Sequence, residues 1–117
     1  MPPKRGEVVL CRLPLPSTGR TQHKLRPAVV VSKNPNNRRL DDLIVAPCTS
    51  NTSRAHEATQ YLIEGDEIAR TGIRTPSVVR CEALMSIPKA FVLRTLGRLS
   101  PAAEAAVHGC LRDALGL

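Results

Sequence analysis

The sequence predicts a mostly β (α+β) fold: a small barrel-like domain of about six or seven short strands with one C-terminal α-helix. Three observations predict it. Apolar residues come in strand-length runs separated by Pro, Gly, Asn and Ser. Helical periodicity appears once, near the C-terminal end. The 117 residues, 42% of them hydrophobic, suit one domain with a true core.

The first strand is expected over Arg5–Leu13, where Val9, Cys11 and Leu13 alternate with Val8, Leu10 and Arg12. Pro14, Pro16, Ser17 and Gly19 end it, and Ser17–Leu25 reads as a polar, basic loop. Pro27 suits the first position of a second strand, Ala28–Ser32. Residues 34–39, Asn-Pro-Asn-Asn-Arg-Arg, read as a turn or short loop. Asp42–Thr49 is a third strand around the apolar run Leu43–Ala46, with Pro47 implying a bulge or an edge. Asn51–Arg54 is a second polar loop and Glu57–Ile63 a weaker strand, while Glu67–Arg74 carries no clear pattern. Ser77–Ser86 is the strongest strand of the second half. Residues 88–99 read as a helical turn followed by a strand over Val92–Leu99.

The helix is expected over about residues 101–115. Ser100 is a good N-cap, Pro101 a good first residue and Gly116 a good stop. Val107, Cys110, Leu111, Ala114 and Leu115 recur on one face. Gly109 weakens the interior. The whole of residues 1–117 reads as one domain, with strands over about 5–99. No apolar run reaches membrane-spanning length, and the first residues lead into a strand pattern rather than a signal peptide.

The chain carries 17 Lys and Arg against 10 Asp and Glu, a net charge of +7. The excess is gathered early: residues 1–40 hold nine basic groups and one acid, Glu7. Such asymmetry fits either a polyanion-binding face or simple solubility. With only Tyr61 and Phe91 as aromatics, base-stacking platforms are disfavoured. Cys11, Cys48, Cys81 and Cys110 lie far apart, form no C-x-x-C pair and sit in apolar stretches, so they read as core residues. No zinc-protease, phosphate-loop or dinucleotide motif occurs, and neither metal nor cofactor is expected.

Three polar clusters stand out: Arg20–Arg26, Thr49–Thr52 and Arg80-Cys81-Glu82. If residues 77–86 form one strand, Val78, Arg80, Glu82 and Leu84 share a face. Arg80 and Glu82 are then either a surface ion pair or an acid/base and phosphate-charge pair.

Five segments in order carry a resemblance. They are Arg5-Gly6-Glu7-Val8-Val9; Gly19 and Gln22 leading to Arg26-Pro27-Ala28-Val29-Val30-Val31-Ser32; Val45-Ala46-Pro47-Cys48-Thr49-Ser50; Val78-Val79-Arg80-Cys81-Glu82; and Leu96-Gly97-Arg98-Leu99-Ser100. Together they resemble the MazF/PemK (Kid) toxins. The resemblance implies an SH3-like, CcdB/MazF-like barrel, a homodimer and the toxin of a bacterial type II toxin–antitoxin pair acting in the cytoplasm. It also implies metal-independent, sequence-specific cleavage of single-stranded RNA by 2′-hydroxyl attack, leaving a cyclic phosphate and a 5′-hydroxyl. An acidic antitoxin is the implied protein partner.

Residue by residue, the resemblance assigns catalysis to Arg26, Thr49, Arg80 and Glu82. Arg26 would stabilise the phosphorane and Thr49 would hydrogen-bond the scissile phosphate. Glu82 would be the base and Arg80 a second phosphate or acid group. RNA contacts fall to Arg20, Gln22, His23, Lys24, Ser50 and Val78. Thr21 and Lys24 stand where the family has Glu and Gly, and Glu82 where its plasmid-encoded branch has Asp. A non-catalytic member of the same fold, either a CcdB-like gyrase inhibitor or a nucleic-acid-binding module, remains the other reading, as does a degenerate toxin.

Overall fold

The computed structural model describes residues 2–15 and 22–117. Among the described residues, seven strands and three helices follow in the order β1 (Glu7–Leu15), β2 (Gln22–Val30), α1 (Asn34–Arg39), β3 (Asp42–Thr49), β4 (Gln60–Ile63), α2 (Asp66–Thr71), β5 (Ser77–Arg80), β6 (Met85–Pro88), β7 (Val92–Arg98) and α3 (Pro101–Leu115). Short 3-10 turns, Cys81–Ala83 and Lys89–Phe91, precede β6 and β7.

The strands pair antiparallel in the order β4-β5-β3-β2-β1-β7, with β6 also on β3. β3 therefore changes partner along its length. Asp42–Val45 pair with β6, and Cys48–Thr49 pair with β5. Pro47 falls between these two ladders, where its missing N–H costs least. Pro27 lies inside β2 rather than at its start. It pairs with Leu10 of β1, while the β3 ladder begins only at Ala28. Up to Pro27, β2 is an edge toward β3, so the basic segment 22–25, expected as loop, continues as strand on β1 alone.

Both faces of the central strands are covered. Val9, Cys11, Leu13, Ala28, Val30, Leu43, Val45 and Ile87 form one buried cluster. Val8, Val29, Ala46, Cys48, Ile63, Val79 and Leu99 form the other, under Ala103 and Val107 of α3. This explains the unbroken apolar runs at 28–31 and from Val45 to Cys48, since a strand buried on both faces needs no alternation, whereas Ile44 before them is 44% exposed. Each fully buried Val or Leu contributes about 1.5–3 kcal/mol of transfer free energy.

The sheet ends at β4 and β7, and α2 bridges them. It follows β4 in sequence and packs on β7 so closely that a Cβ on Gly97 would overlap the backbone of Arg70 and Thr71. Gly72, in the left-handed conformation at φ 74°, ends α2 against the Leu96 carbonyl. Glu67 of α2 also accepts the Ser100 amide at 2.8 Å.

The C-terminal helix matches the expected one. The Ser100 side chain accepts from the Ala103 amide at 3.1 Å, and Gly116 closes the helix at φ 70°. Val107 is buried, Cys110, Leu111 and Ala114 pack beside it, and Leu115 is exposed. Two other expectations are corrected. Residues 34–39 are a helical turn, held because buried Asn37 exchanges side-chain hydrogen bonds with Ser32 and accepts Lys89 Nζ on its carbonyl at 2.8 Å. Ser77–Ser86 is not one strand: the chain coils at Cys81–Ala83, with Cys81 N donating to the Thr59 carbonyl at 3.0 Å.

Candidate functional site

The polar residues singled out in the sequence gather in two clefts on either side of the Thr49-Ser50 dipeptide at the end of β3. The first encloses about 340 Å³ and is lined by Thr49, Asn51, Arg54, Gln60, Arg80 and Glu82, with Ser53 beside them. β4 and β5 set its geometry: Gln60 pairs with Arg80 in register. The 3-10 turn then folds Glu82 back over them. Glu82 Oε2 accepts two hydrogen bonds, from Gln60 Nε2 at 2.8 Å and from Arg80 Nε at 3.1 Å.

Arg80 and Glu82 thus meet as expected, but through a turn rather than a shared strand face. Their side chains are 45% and 31% exposed, so the ion pair alone adds little stability. Its electrostatic effect is clearer. Partial burial raises the Glu82 pKa, but hydrogen bonds from Gln60, its own backbone, Arg80 and Thr59 outweigh that, and the net direction is down. Glu82 is an ionised acceptor at neutral pH. Thr49 Oγ1 accepts the Asn51 amide at 3.2 Å, which leaves its proton to donate outward.

The second cleft, about 420 Å³, has Lys24, Arg26, Ser50, Arg74 and Arg94 among its lining residues. Arg26 stands opposite Cys11 on β1, whose thiol donates to the Arg26 carbonyl at 3.7 Å. Its Nε is buried with no hydrogen-bond partner among the described residues. The β2–β3 ladder stops at Ala28–Pro47. Two positions further along, β2 has Arg26 and β3 has Thr49, so the two leave the ladder on the same face of the sheet.

The remaining expected contacts separate. Arg20 and the substituted Thr21 lie outside the described residues, and Gln22 opens β2 opposite Leu15. His23 is exposed and sets its ring edge-on to Phe91 at 5.5 Å, in a third pocket with Arg12, Leu25 and Leu93. Val78 is a correction. It is fully buried between β3 and β4 as part of the core, so its side chain offers nothing to a ligand. Gln60, Arg54, Arg74 and Arg94 line the clefts without having been singled out. A lone Gln at a strand start has no motif around it, and the arginines are distant in sequence from the residues they join.

The cysteines are core groups. Burial pushes the Cys11 thiol up to about 11 and those of Cys48 and Cys81 to about 12, so all three stay protonated. Among the described residues, no three His, Cys, Asp or Glu side chains stand together as a metal site, and no helix is long and apolar enough to cross a membrane.

The fold and clefts define a class first: small, basic, mostly β proteins with an α-helical C-terminus and arginine-lined clefts at the strand ends. Within that class, the chain belongs to the PemK-like, MazF-like toxins of type II toxin–antitoxin systems, whose family model matches residues 4–115. Solved structures agree. A mycobacterial endoribonuclease is 25% identical with a TM-score of 0.76, over 100% of this chain and 94% of that one. A mycobacterial endoribonuclease bound to its cognate antitoxin is 25% identical with a TM-score of 0.75, over 98% and 96%. MazF from Deinococcus radiodurans shares the fold at 21% identity and a TM-score of 0.77, over 100% and 99%.

Proposed function

We propose that this toxin is an endoribonuclease that cuts single-stranded RNA without a metal ion, thereby stopping translation and growth. The carrying observation is Glu82, ionised and hydrogen-bonded to Arg80, in the cleft that Thr49 also lines. The mycobacterial relatives described as endoribonucleases support the reading.

In this mechanism the Glu82 carboxylate takes the proton of the 2′-hydroxyl, whose oxygen attacks the adjacent phosphorus. A new 2′-O–P bond forms and the P–O5′ bond breaks, giving a cyclic phosphate and a 5′-hydroxyl end. Thr49 donates to a non-bridging phosphate oxygen. Arg26 and Arg80 spread over the charge of the phosphorane, and a permanently charged guanidinium does this without changing protonation state beforehand. The departing 5′-alkoxide, a much stronger base than the guanidinium's conjugate, takes a proton from Arg26. Lys24 and Ser50 hold neighbouring phosphates.

The toxin acts as a homodimer in the cytoplasm, and an acidic antitoxin segment occupies the basic clefts in the resting complex. The relative solved with its cognate antitoxin supports that pairing. The test uses protein made with its antitoxin and then freed of it, incubated with RNA in EDTA. Cleavage lost in Arg26→Ala and Thr49→Ala is the expected result. No cleavage by the wild type, or cleavage untouched by both substitutions, overturns the proposal; RNA retention without cleavage returns the non-catalytic reading.

A further inference from the structure

The first cleft contains a group that the assigned chemistry does not use. Gln60 is only 8% exposed, yet it is an amide at the start of a strand whose other end, Ile63, is fully buried. Its Nε2 donates to Glu82 at 2.8 Å, while its Oε1 is buried with no partner among the described residues. Turning the amide over would set the oxygen against a carboxylate, so the orientation is fixed by Glu82 alone. Burying a carbonyl without a donor lowers stability, and an apolar side chain of the same shape would avoid that cost. An amide kept there at a loss to the fold is kept for its other end.

We propose that Gln60 is a positioning residue for Glu82: it holds the carboxylate in the geometry from which it meets the 2′-hydroxyl. This rests on the nuclease reading above. Gln60 and Arg80, paired across β4 and β5, grip the same Oε2 from a rigid ladder. With Oε2 held by both donors, the orientation of Oε1 is set as well. This also accommodates the extra methylene of Glu82, because two fixed donors confine a longer side chain that would otherwise sample several positions.

Besides Gln60, the carboxylate is met by the Thr59 side chain and its own backbone amide, both neutral donors. Arg80 faces it from β5, Arg54 shares its cleft from the β3–β4 loop, and Cys81 and Cys110 of the turn and α3 lie nearby as thiols. Burial raises the pKa of both thiols, so neither competes as an anion near neutral pH. Of the neutral donors to the carboxylate, Gln60 has the largest lowering effect, ahead of the Glu82 backbone amide and Thr59, so its loss is expected to move the Glu82 titration most.

The experiment compares wild type with Gln60→Leu and Gln60→Met in two measurements. The Glu82 carboxyl is titrated by carbon NMR without RNA, its signal assigned from Glu82→Gln, and cleavage is followed across pH. Both variants are expected to melt at or above the wild-type temperature, with the Glu82 midpoint moved upward. Their kcat is expected to fall about tenfold, with KM nearly unchanged. An unmoved midpoint in a folded variant overturns the proposal. Loss of folding in both variants overturns it too, since the amide would then serve the fold. A raised midpoint in the variants together with a wild type that cuts no RNA upholds the Gln60–Glu82 coupling and overturns the nuclease reading instead.

Discussion

Arg80 Nε donates to Glu82 Oε2 at 3.1 Å across a 3-10 turn that separates β5 from β6. Two residues apart on a straight strand would point the same way and splay outward. The turn instead brings the carboxylate back onto the guanidinium and onto Gln60. The turn thus fixes the pair through the backbone, which matters for the base proposed above, because such a group works only when closely positioned.

The pH dependence of cleavage follows from this contact. The folded-state pKa of Glu82 lies below its ordinary value because its hydrogen-bond donors outweigh burial. A depressed carboxylate contributes stability above its unfolded pKa and loses it as pH falls through the folded one. The acid limb of the rate profile is therefore expected below the usual glutamate range. Arg80→Ala is expected to move that limb upward, measured as kcat/KM against pH in EDTA, which reports the free enzyme.

How much of this was readable beforehand differs by element. α3 was legible end to end, because Ser100, Pro101 and Gly116 mark its limits and Val107 its buried face. The apolar segments of the strands were legible for the same reason of pattern, but the basic half of β2 and the break at Cys81–Ala83 were not, because strand pairing and a turn decide them. α1 and α2 were not: six-residue helices are too short to show periodicity, and α1 is held by the buried polar Asn37. In the candidate site, Thr49, Arg80 and Glu82 line one cleft and Arg26 the next, a division that no motif in the sequence shows. Gln60 was invisible, since its importance arises only when β4 pairs with β5. Val78 was misplaced because a motif position says nothing of which way a side chain points.

Two glycines should respond in opposite directions. Gly97→Ala puts a methyl into the backbone of Arg70 and Thr71, so α2 must move off β7. A loss of about 1–3 kcal/mol is expected. Gly109, inside α3, has nothing within 4 Å of an added Cβ among the described residues. Gly109→Ala is expected to gain about 1 kcal/mol through helix propensity. Urea unfolding with an unchanged slope checks both signs.

Ser100 ties two helices at once. Its hydroxyl caps α3 through the Ala103 amide, and its own amide reaches Glu67 of α2. Ser100→Ala removes only the cap and is expected to cost about 1 kcal/mol. Glu67→Gln keeps an acceptor but removes the charge near the α2 start, so a smaller loss is expected. Because Glu67 is hydrogen-bonded directly to Ser100, the double variant is expected to depart from additivity, as contacting residues do. Thermal melts of the four proteins settle the comparison.

Arg26→Lys separates charge from geometry at the second cleft. Lysine keeps the positive charge but presents a point ammonium where the guanidinium offers a planar fork. The buried Nε of Arg26 has no acceptor among the described residues, so removing it takes nothing from the fold. Stability is expected to hold within about 0.5 kcal/mol, as for changes that break no internal contact. RNA affinity at low salt should fall only slightly, since the charge that draws phosphate remains. Cleavage should fall by about 10²–10³, the usual loss when one donor to a developing oxyanion is removed. A variant that binds RNA nearly as well as wild type but cuts it poorly places Arg26 at the transition state. Equal losses of affinity and rate would reduce it to one more phosphate contact.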